Sequence, residues 1–286
     1  MAKRQVERSA FYKREEKNMQ VVTFPGLGIQ LTFSKIAFSF MGIDIYWYAV
    51  IIVAAILIGM VLCKKKDGLY GISYQNIIDL FLYLLPISIL SARAYYVIFN
   101  PSYFIQNPLQ IFNLRTGGLA IYGGIIGGVI TAYVFCKKRK IPLLDLLDFL
   151  APCLILGQAI GRWGNFINVE AYGYETNLPW RMGIMSINGY QEVHPTFLYE
   201  SIIDFVIFFL LLHWQRKRKY SGQITYLYLV CYSFARMLIE LLRTDSLFFY
   251  HMRISSVLSL FIFVASCLML VKNQKTQQKK SQKQAK

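Results

Sequence analysis

The chain has 286 residues, enough for one or two soluble domains. Its 56% hydrophobic content, mean hydropathy of +0.41 and 16% charged residues fit a soluble surface poorly. The formal charge of +16 would point to nucleic acid in a soluble protein, but the placement of the basic residues excludes that reading in favour of a membrane.

Residues 1–18 carry Lys3, Arg4, Arg8, Lys13, Arg14 and Lys17 and have no apolar centre, so no signal peptide is read there. After Met19, Lys35 is the one Lys or Arg before the first apolar stretch, which makes Met19 a candidate start and 1–18 a candidate upstream over-extension. Seven apolar stretches follow, at 43–62, 77–99, 118–136, 143–160, 196–214, 224–242 and 254–271. Each approaches the ~20 helical residues needed to cross a hydrocarbon layer about 30 Å thick. They are too long for barrel strands and lack sustained alternation. The expected architecture is therefore all-α: a polytopic membrane protein with an external segment 1–42, a seven-helix transmembrane domain 43–271 and a basic tail 272–286.

Lys64, Lys65 and Lys66 follow the first stretch; Lys137, Lys138, Arg139 and Lys140 follow the third; Arg216, Lys217, Arg218 and Lys219 follow the fifth; six lysines follow the seventh. The alternate loops hold Arg115, Arg162, Arg181, Arg243 and Arg253. Basic loops stay cytoplasmic, so the amino terminus is expected outside and the carboxyl terminus, including Lys286, inside. The insert 161–195, rich in Gly, Asn, Trp and Tyr, is then an irregular external head carrying Trp180.

Cysteines 63, 136, 153, 231 and 267 lie in or beside apolar stretches without CxxC or Cys/His spacing, and histidines 194, 213 and 251 are far apart. Neither a disulfide framework, a metal site nor a cofactor is expected.

Ionisable groups in spans are costly and mark sites unless a partner explains them. Counting depth along each helix places Tyr48, Arg93, Tyr122, Arg162, Glu200, Arg236, Glu240 and Arg243 near the outer face, and Asp79, Asp145 and Asp148 deeper or inward. Arg162, Arg236 and Arg93 together suit an anion pocket, because a guanidinium fork donates two hydrogen bonds to a phosphate. Arg243 reads better as a paired helix-end residue, with Arg236–Glu240 at i,i+4 and Glu240–Arg243 at i,i+3. In the third stretch Gly123, Gly124, Gly127 and Gly128 form small-xxx-small faces suited to close helix packing, and Tyr122 adds a hydroxyl.

The densest polar segment is Gly161-Arg162-Trp163-Gly164-Asn165-Phe166-Ile167-Asn168-Val169-Glu170-Ala171-Tyr172-Gly173. It resembles the signature of the bacterial prolipoprotein diacylglyceryl transferases. Tyr46-Trp47-Tyr48, Arg93, the Gly-Gly-Leu-Ala-Ile-Tyr-Gly-Gly run, Leu147-Asp148-Phe149, the run from His194 to Glu200, and the segment from Arg236 to Arg243 agree in order. The resemblance implies transfer of diacylglyceryl from phosphatidylglycerol to the lipobox cysteine of a prolipoprotein signal peptide, at a bacterial plasma membrane. A thioether would form and glycerol phosphate would leave.

On that resemblance Arg162, Arg236 and Tyr122 are the candidate catalytic residues. Tyr48, Arg93, Asn165, Asn168, Glu170, Gly173, Glu200 and Glu240 are candidates for substrate binding and for shaping the pocket. Many members carry His, proposed as the base, at the place of Tyr122, and a phenol with pKa near 10 is a poor base at neutral pH. His194 is a weaker substitute. A transporter or a lipid-binding scaffold is the competing reading; a transporter would usually place polar groups near the midplane on broken helices. The charge pattern predicts that a cysteine at position 139 is modified by an impermeant thiol reagent only after the cytoplasmic side is opened. Labelling of intact cells would reverse the orientation.

Overall fold

The computed structural model describes residues 19–114, 117–186, 189–245, 248–249 and 252–284. Residues 1–18, Arg115, His251 and Lys286 lie outside this set, so the expectations that fall on them stand as sequence readings. The chain divides into two compact units, one of residues 1–62 with 151–286, the other of Cys63–Leu150.

Among the described residues there are eight α-helices: α1 (Trp47–Lys65), α2 (Tyr74–Ile98), α3 (Pro101–Gln106), α4 (Ile121–Arg139), α5 (Leu143–Asn168), α6 (Thr196–Gln215), α7 (Gln223–Glu240) and α8 (Ile254–Gln284). Each expected apolar stretch contains a helix. Five of them, α1, α2, α5, α6 and α8, are long and apolar enough to cross a membrane. The protein is thus a polytopic membrane protein. In α1 apolar residues ring the helix, and Leu57 and Val61 are exposed, as expected where lipid is the solvent. Pro86 in α2 and Pro152 in α5 sit inside long helices, a placement tolerated in membranes because neighbouring groups re-satisfy the freed carbonyls.

The all-α expectation is corrected by eight short strands. β1 (Met19–Phe24), β2 (Ile29–Ser34), β5 (Met182–Ser186) and β6 (Gly189–Val193) form an antiparallel sheet in the order β2-β1-β5-β6. β3 (Ile36–Phe40) pairs with β4 (Ile43–Tyr46), and β7 (Phe248–Phe249) with β8 (Met252–Arg253). The first stretch therefore becomes helical at Trp47, not at residue 43, because 43–46 are spent on a hairpin. A strand from before the first helix thus pairs with one between α5 and α6.

In that first unit, Val22 and Ile184 are register partners on β1 and β5 and are both fully buried. They pack with Met182, Val193, Phe166 and Phe197, so a residue from the end of α5 and one from the start of α6 complete the core of the sheet. The Phe166 and Phe197 rings lie 4.7 Å apart, and Trp163 meets Phe197 edge-on at 5.6 Å. Further along, α6 packs on α7 and α7 on α8. In the second unit α2 packs against α4: a side chain at Gly123 would come within 2.5 Å of the Ser91 carbonyl and Tyr95, and Gly127 also abuts Ser91. The glycines thus allow the close helix approach expected of them. Asp79 and Arg139 pair at 2.6 Å across the two helices.

Ile184→Ala removes a fully buried side chain from the sheet and is expected to cost about 2–5 kcal/mol of local stability. Faster hydrogen exchange at the β5 and β1 amides, with α2 and α4 unchanged, checks this.

Candidate active site

The polar signature is built on the last two turns of α5 and the turn that follows. The helix runs on to Asn168, so Arg162, Asn165 and Asn168 are helical, not part of the irregular loop expected from 161 onward. Spacings of three place these three residues on one face. Beyond the helix Val169 (φ 54°) and Ala171 (φ 58°) adopt left-handed backbone, uncommon for residues with a side chain and rarest for a β-branched one. The reversal lets the Glu170 amide donate to the Asn165 carbonyl at 3.0 Å. Its carboxylate Oε1 accepts from Asn165 Nδ2 at 2.8 Å and Asn168 Nδ2 at 3.3 Å. Strain of this kind, on the order of 1–3 kcal/mol per residue, persists only where surroundings hold it. Here Thr196 donates to the Ala171 carbonyl, and Thr244 to that of Tyr172.

Asn165 Oδ1 accepts in turn from Arg162 Nη1 at 3.4 Å, which leads to the centre of the cluster. Glu200, in the second turn of α6, is buried to 4% exposure and faces three guanidinium groups. Its Oε2 pairs with Arg162 Nη2. Both of its oxygens accept from Arg236 Nη1, at 3.3 and 3.2 Å, and Oε1 accepts from Arg243 Nη1 at 3.1 Å. Arg236 Nη2 pairs with Glu240 Oε2 at 2.7 Å, the i,i+4 pair expected from sequence. Arg243 instead turns its fork onto Asp245, at 2.9 and 2.7 Å. Burial opposes the Asp245 charge, yet Arg243 holds its carboxyl below the usual value. The contact therefore stabilises the fold at neutral pH and is lost only as pH falls through that lowered value.

Exposure separates the three arginines. Arg243 retains 10% of its side-chain surface, whereas Arg162 and Arg236 retain 19% and 17%. The latter two are the members with surface left for a ligand. Tyr48, one residue into α1, lays its ring against Gly164, where a side chain would come within 2.5 Å of it. Gly173 meets the Leu242 carbonyl and His194 so closely that a Cβ would lie 2.7 and 2.8 Å from them. Its amide donates to the His194 carbonyl, and Tyr174 donates to Leu242. These bonds fix the chain after the signature beside the segment just beyond α7 that carries Arg243. An open cleft of about 410 Å³ lined by Tyr172, Gly173, Tyr174, Gln191 and Thr244 lies there. Burial depresses the His194 pKa, so its ring is neutral at pH 7, with Nδ1 3.3 Å from the Tyr199 hydroxyl.

Arg93 and Tyr122 belong to the second unit. Arg93 is buried, and its five N–H donor positions go to backbone carbonyls. Nε donates to Ile111, Nη1 to Gly117 and Gly118, and Nη2 to Gln110 and Asn113. In this arrangement all five donors of Arg93, expected in an anion pocket, go to the backbone of the 110–118 segment. Tyr122, in the first turn of α4, is 44% exposed.

Two acids escaped the sequence reading. Asp204 lies one turn beyond Glu200 on α6, is 3% exposed, and its Oδ2 has no hydrogen-bond partner among the described residues. It lines a small cavity with Glu200, Tyr232 and Arg236. An acid four residues after another within an apolar stretch was the available signal. Asp245, in the connection between the sixth and seventh stretches, carried none. Among the described residues no three His, Cys, Asp or Glu side chains converge in a metal-binding arrangement.

Comparison with known proteins bears on what this cluster does. The family model for prolipoprotein diacylglyceryl transferase matches residues 35–272. A phosphatidylglycerol–prolipoprotein diacylglyceryl transferase of Finegoldia magna is 47% identical over 242 residues, covering 84% of this chain and 96% of the relative. Those of Clostridioides difficile and Clostridium novyi are 46% and 45% identical, over 79% and 84% of this chain and 90% and 96% of theirs. The chain belongs to the prolipoprotein diacylglyceryl transferase family.

For this family member the matched region contains the whole Glu200 cluster and the turn that supports it. Gly173→Ala is expected to force the Gly173 and Leu242 segments apart and to lower stability by about 1–3 kcal/mol, as overpacking does. Thermal unfolding in detergent checks it, and activity should fall with it because Arg243 is displaced.

Proposed function

We propose that the Glu200-centred cluster binds the phosphate of phosphatidylglycerol while its diacylglyceryl group is moved to a prolipoprotein thiol. The protein is a transferase of the bacterial plasma membrane whose substrates are phosphatidylglycerol and a prolipoprotein. The thiol sulfur attacks the glyceryl carbon bonded to the phosphate ester oxygen. A C–S bond forms, the C–O bond breaks, the thiol proton passes to a base, and glycerol phosphate leaves with the bonding pair. The observation that carries the assignment of residues is the sharing of one buried carboxylate by three guanidinium groups. Two of these keep exposed surface, so an incoming phosphate meets fixed cations that need little reorganisation.

Fixed donors in a water-poor site stabilise developing charge on the leaving phosphate, each by about 3–4 kcal/mol when well placed. Arg162 and Arg236 fill that role in this reading. Glu200 and Glu240 hold them in position, while Asn165, Asn168, Glu170 and Gly173 hold Arg162 through the turn after α5. Tyr48 contacts the headgroup. Tyr122 donates a hydrogen bond and does not take the thiol proton, because a phenol is a poor general base at neutral pH. The seven helices α1, α2, α4, α5, α6, α7 and α8 all span, with the amino terminus and head outside and α8 ending in the cytoplasm. The alternation of basic connections supports that orientation. A transporter or passive scaffold is disfavoured by family membership.

The direct test combines purified protein, phosphatidylglycerol vesicles and a lipobox peptide, with mass spectrometry for the diacylglyceryl adduct on cysteine. Arg162→Lys should keep the protein inserted and lower turnover about 100- to 1,000-fold, because an ammonium cannot reproduce a bidentate fork. Tyr122→Phe should lower it roughly 2- to 150-fold, the range for losing one hydrogen bond, with the shape of the pH profile kept. A Tyr122→Phe protein active only at high pH would make the phenol a proton carrier.

A further inference from the structure

Each of the three helices that meet near Glu200 carries a second polar side chain four residues away, one turn further from the sheet. Gln158 precedes Arg162 on α5, Asp204 follows Glu200 on α6, and Tyr232 precedes Arg236 on α7. Residues four apart share a helix face, so a second polar layer accompanies the arginine cluster. Tyr228, a further turn along α7, stacks on Tyr232 with ring centres 5.7 Å apart and donates to Gln158 Oε1 at 3.2 Å. The Tyr232 ring is thereby supported on its far side.

Asp204 is the member of this layer with an unmet bond. It is 3% exposed, and its Oδ2 has no hydrogen-bond partner among the described residues. It borders a cavity of about 10 Å³ together with Glu200, Tyr232 and Arg236, while Ile203 and Ile239 supply apolar wall. A polar cavity of that size accommodates one water molecule, which needs at least two polar partners.

The lining decides which bonds such a water makes. A carboxylate offers about four lone-pair sites. Those of Glu200 are engaged by Arg162, by Arg236 on both oxygens, and by Arg243. Arg236 directs Nη1 to Glu200 and Nη2 to Glu240, which leaves others of its five N–H positions, and Tyr232 adds a hydroxyl. The acceptor in want is therefore Asp204 Oδ2, and the donors bordering the cavity are Arg236 and Tyr232.

We propose that this cavity is a one-water site and that Asp204 is a positioning residue, which holds Arg236 through that water in the orientation presented to phosphate. Glu200 and Glu240 fix two nitrogens of the guanidinium. The bridge adds a third point and keeps the group from tipping into the cavity. This inference rests on the phosphate-binding role proposed for Arg236.

The test uses the full chain in phosphatidylglycerol-containing nanodiscs with a lipobox peptide, read by mass spectrometry for turnover and by thermal unfolding for stability. Asp204→Leu keeps the branched outline of the side chain and removes its polar atoms. Turnover should fall about 10- to 100-fold, the range for losing a hydrogen bond to a charged group. Unfolding should not come earlier, because a buried oxygen without a protein partner has been replaced by apolar surface. Asp204→Asn keeps an acceptor oxygen for the water and should retain most of the turnover. In an Arg236→Lys background, Asp204→Leu should add no further loss, since it acts through the arginine. Undiminished turnover in Asp204→Leu would overturn the proposal, as would a loss that merely tracks lowered stability. Asp204→Asn as damaging as Asp204→Leu, or losses that add to that of Arg236→Lys, would overturn it too. Near-parent turnover in Arg236→Lys alone would instead remove the phosphate role of Arg236, and this proposal with it.

Discussion

Glu200 is a carboxylate almost without solvent, and the side chains of the candidate active site converge on it. A buried ion pair is costly to desolvate, and the cost is offset only when geometry and additional hydrogen bonds are good. Here one carboxylate is faced by Arg162 of α5, Arg236 of α7 and Arg243 just beyond α7, while Glu240 and Asp245 take the outer donors of the last two. Three helices of different sequence position are thereby held to one point. Removing any one guanidinium leaves negative charge poorly compensated, and removing the carboxylate leaves three cations facing each other. The guanidinium groups are thereby held in position in advance of any ligand, which is the preorganisation that the proposed phosphate-binding role needs.

The four-stranded sheet serves the same end. Phe166 and Phe197 enter the sheet core from the two helices that carry Arg162 and Glu200, so packing there fixes their mutual approach. The left-handed turn at Val169 and Ala171 brings Glu170 back to the asparagines, and Gly173 lets the chain pass against the Leu242 carbonyl. Strain at the turn and a missing side chain at Gly173 are two local costs borne by one arrangement of the arginines.

The helices were legible because hydropathy over some twenty residues is a strong signal, and the pairing of Arg236 with Glu240 followed from helical spacing. The strands were not. 19–46 has apolar residues that alternate only in part, and β1 finds its second partner in β5, more than a hundred residues away, which no local pattern announces. The signature was read as a loop because its Gly and Asn content favours loops, yet Phe166 in the sheet core extends the helix to Asn168. Arg93 was assigned by depth and by resemblance, and neither tells where a guanidinium sends its donors. Nearby carbonyls of the 110–118 segment, invisible in sequence, took all of them. Asp204 was overlooked for the opposite reason: its spacing from Glu200 was visible, but only the fold shows that Tyr232 and Arg236 of α7 close a cavity with it.

The central claim is that Glu200 is the shared counter-charge of the arginine cluster. A double-mutant cycle of Glu200→Gln and Arg236→Gln, read as unfolding stability in mixed micelles at neutral pH, tests it most directly. Either single change should be strongly destabilising, and the double mutant should recover part of the loss, with a coupling on the order of 1–3 kcal/mol. Losses that simply add would mean that the two side chains do not depend on each other, and the account of the site built on Glu200 would be wrong.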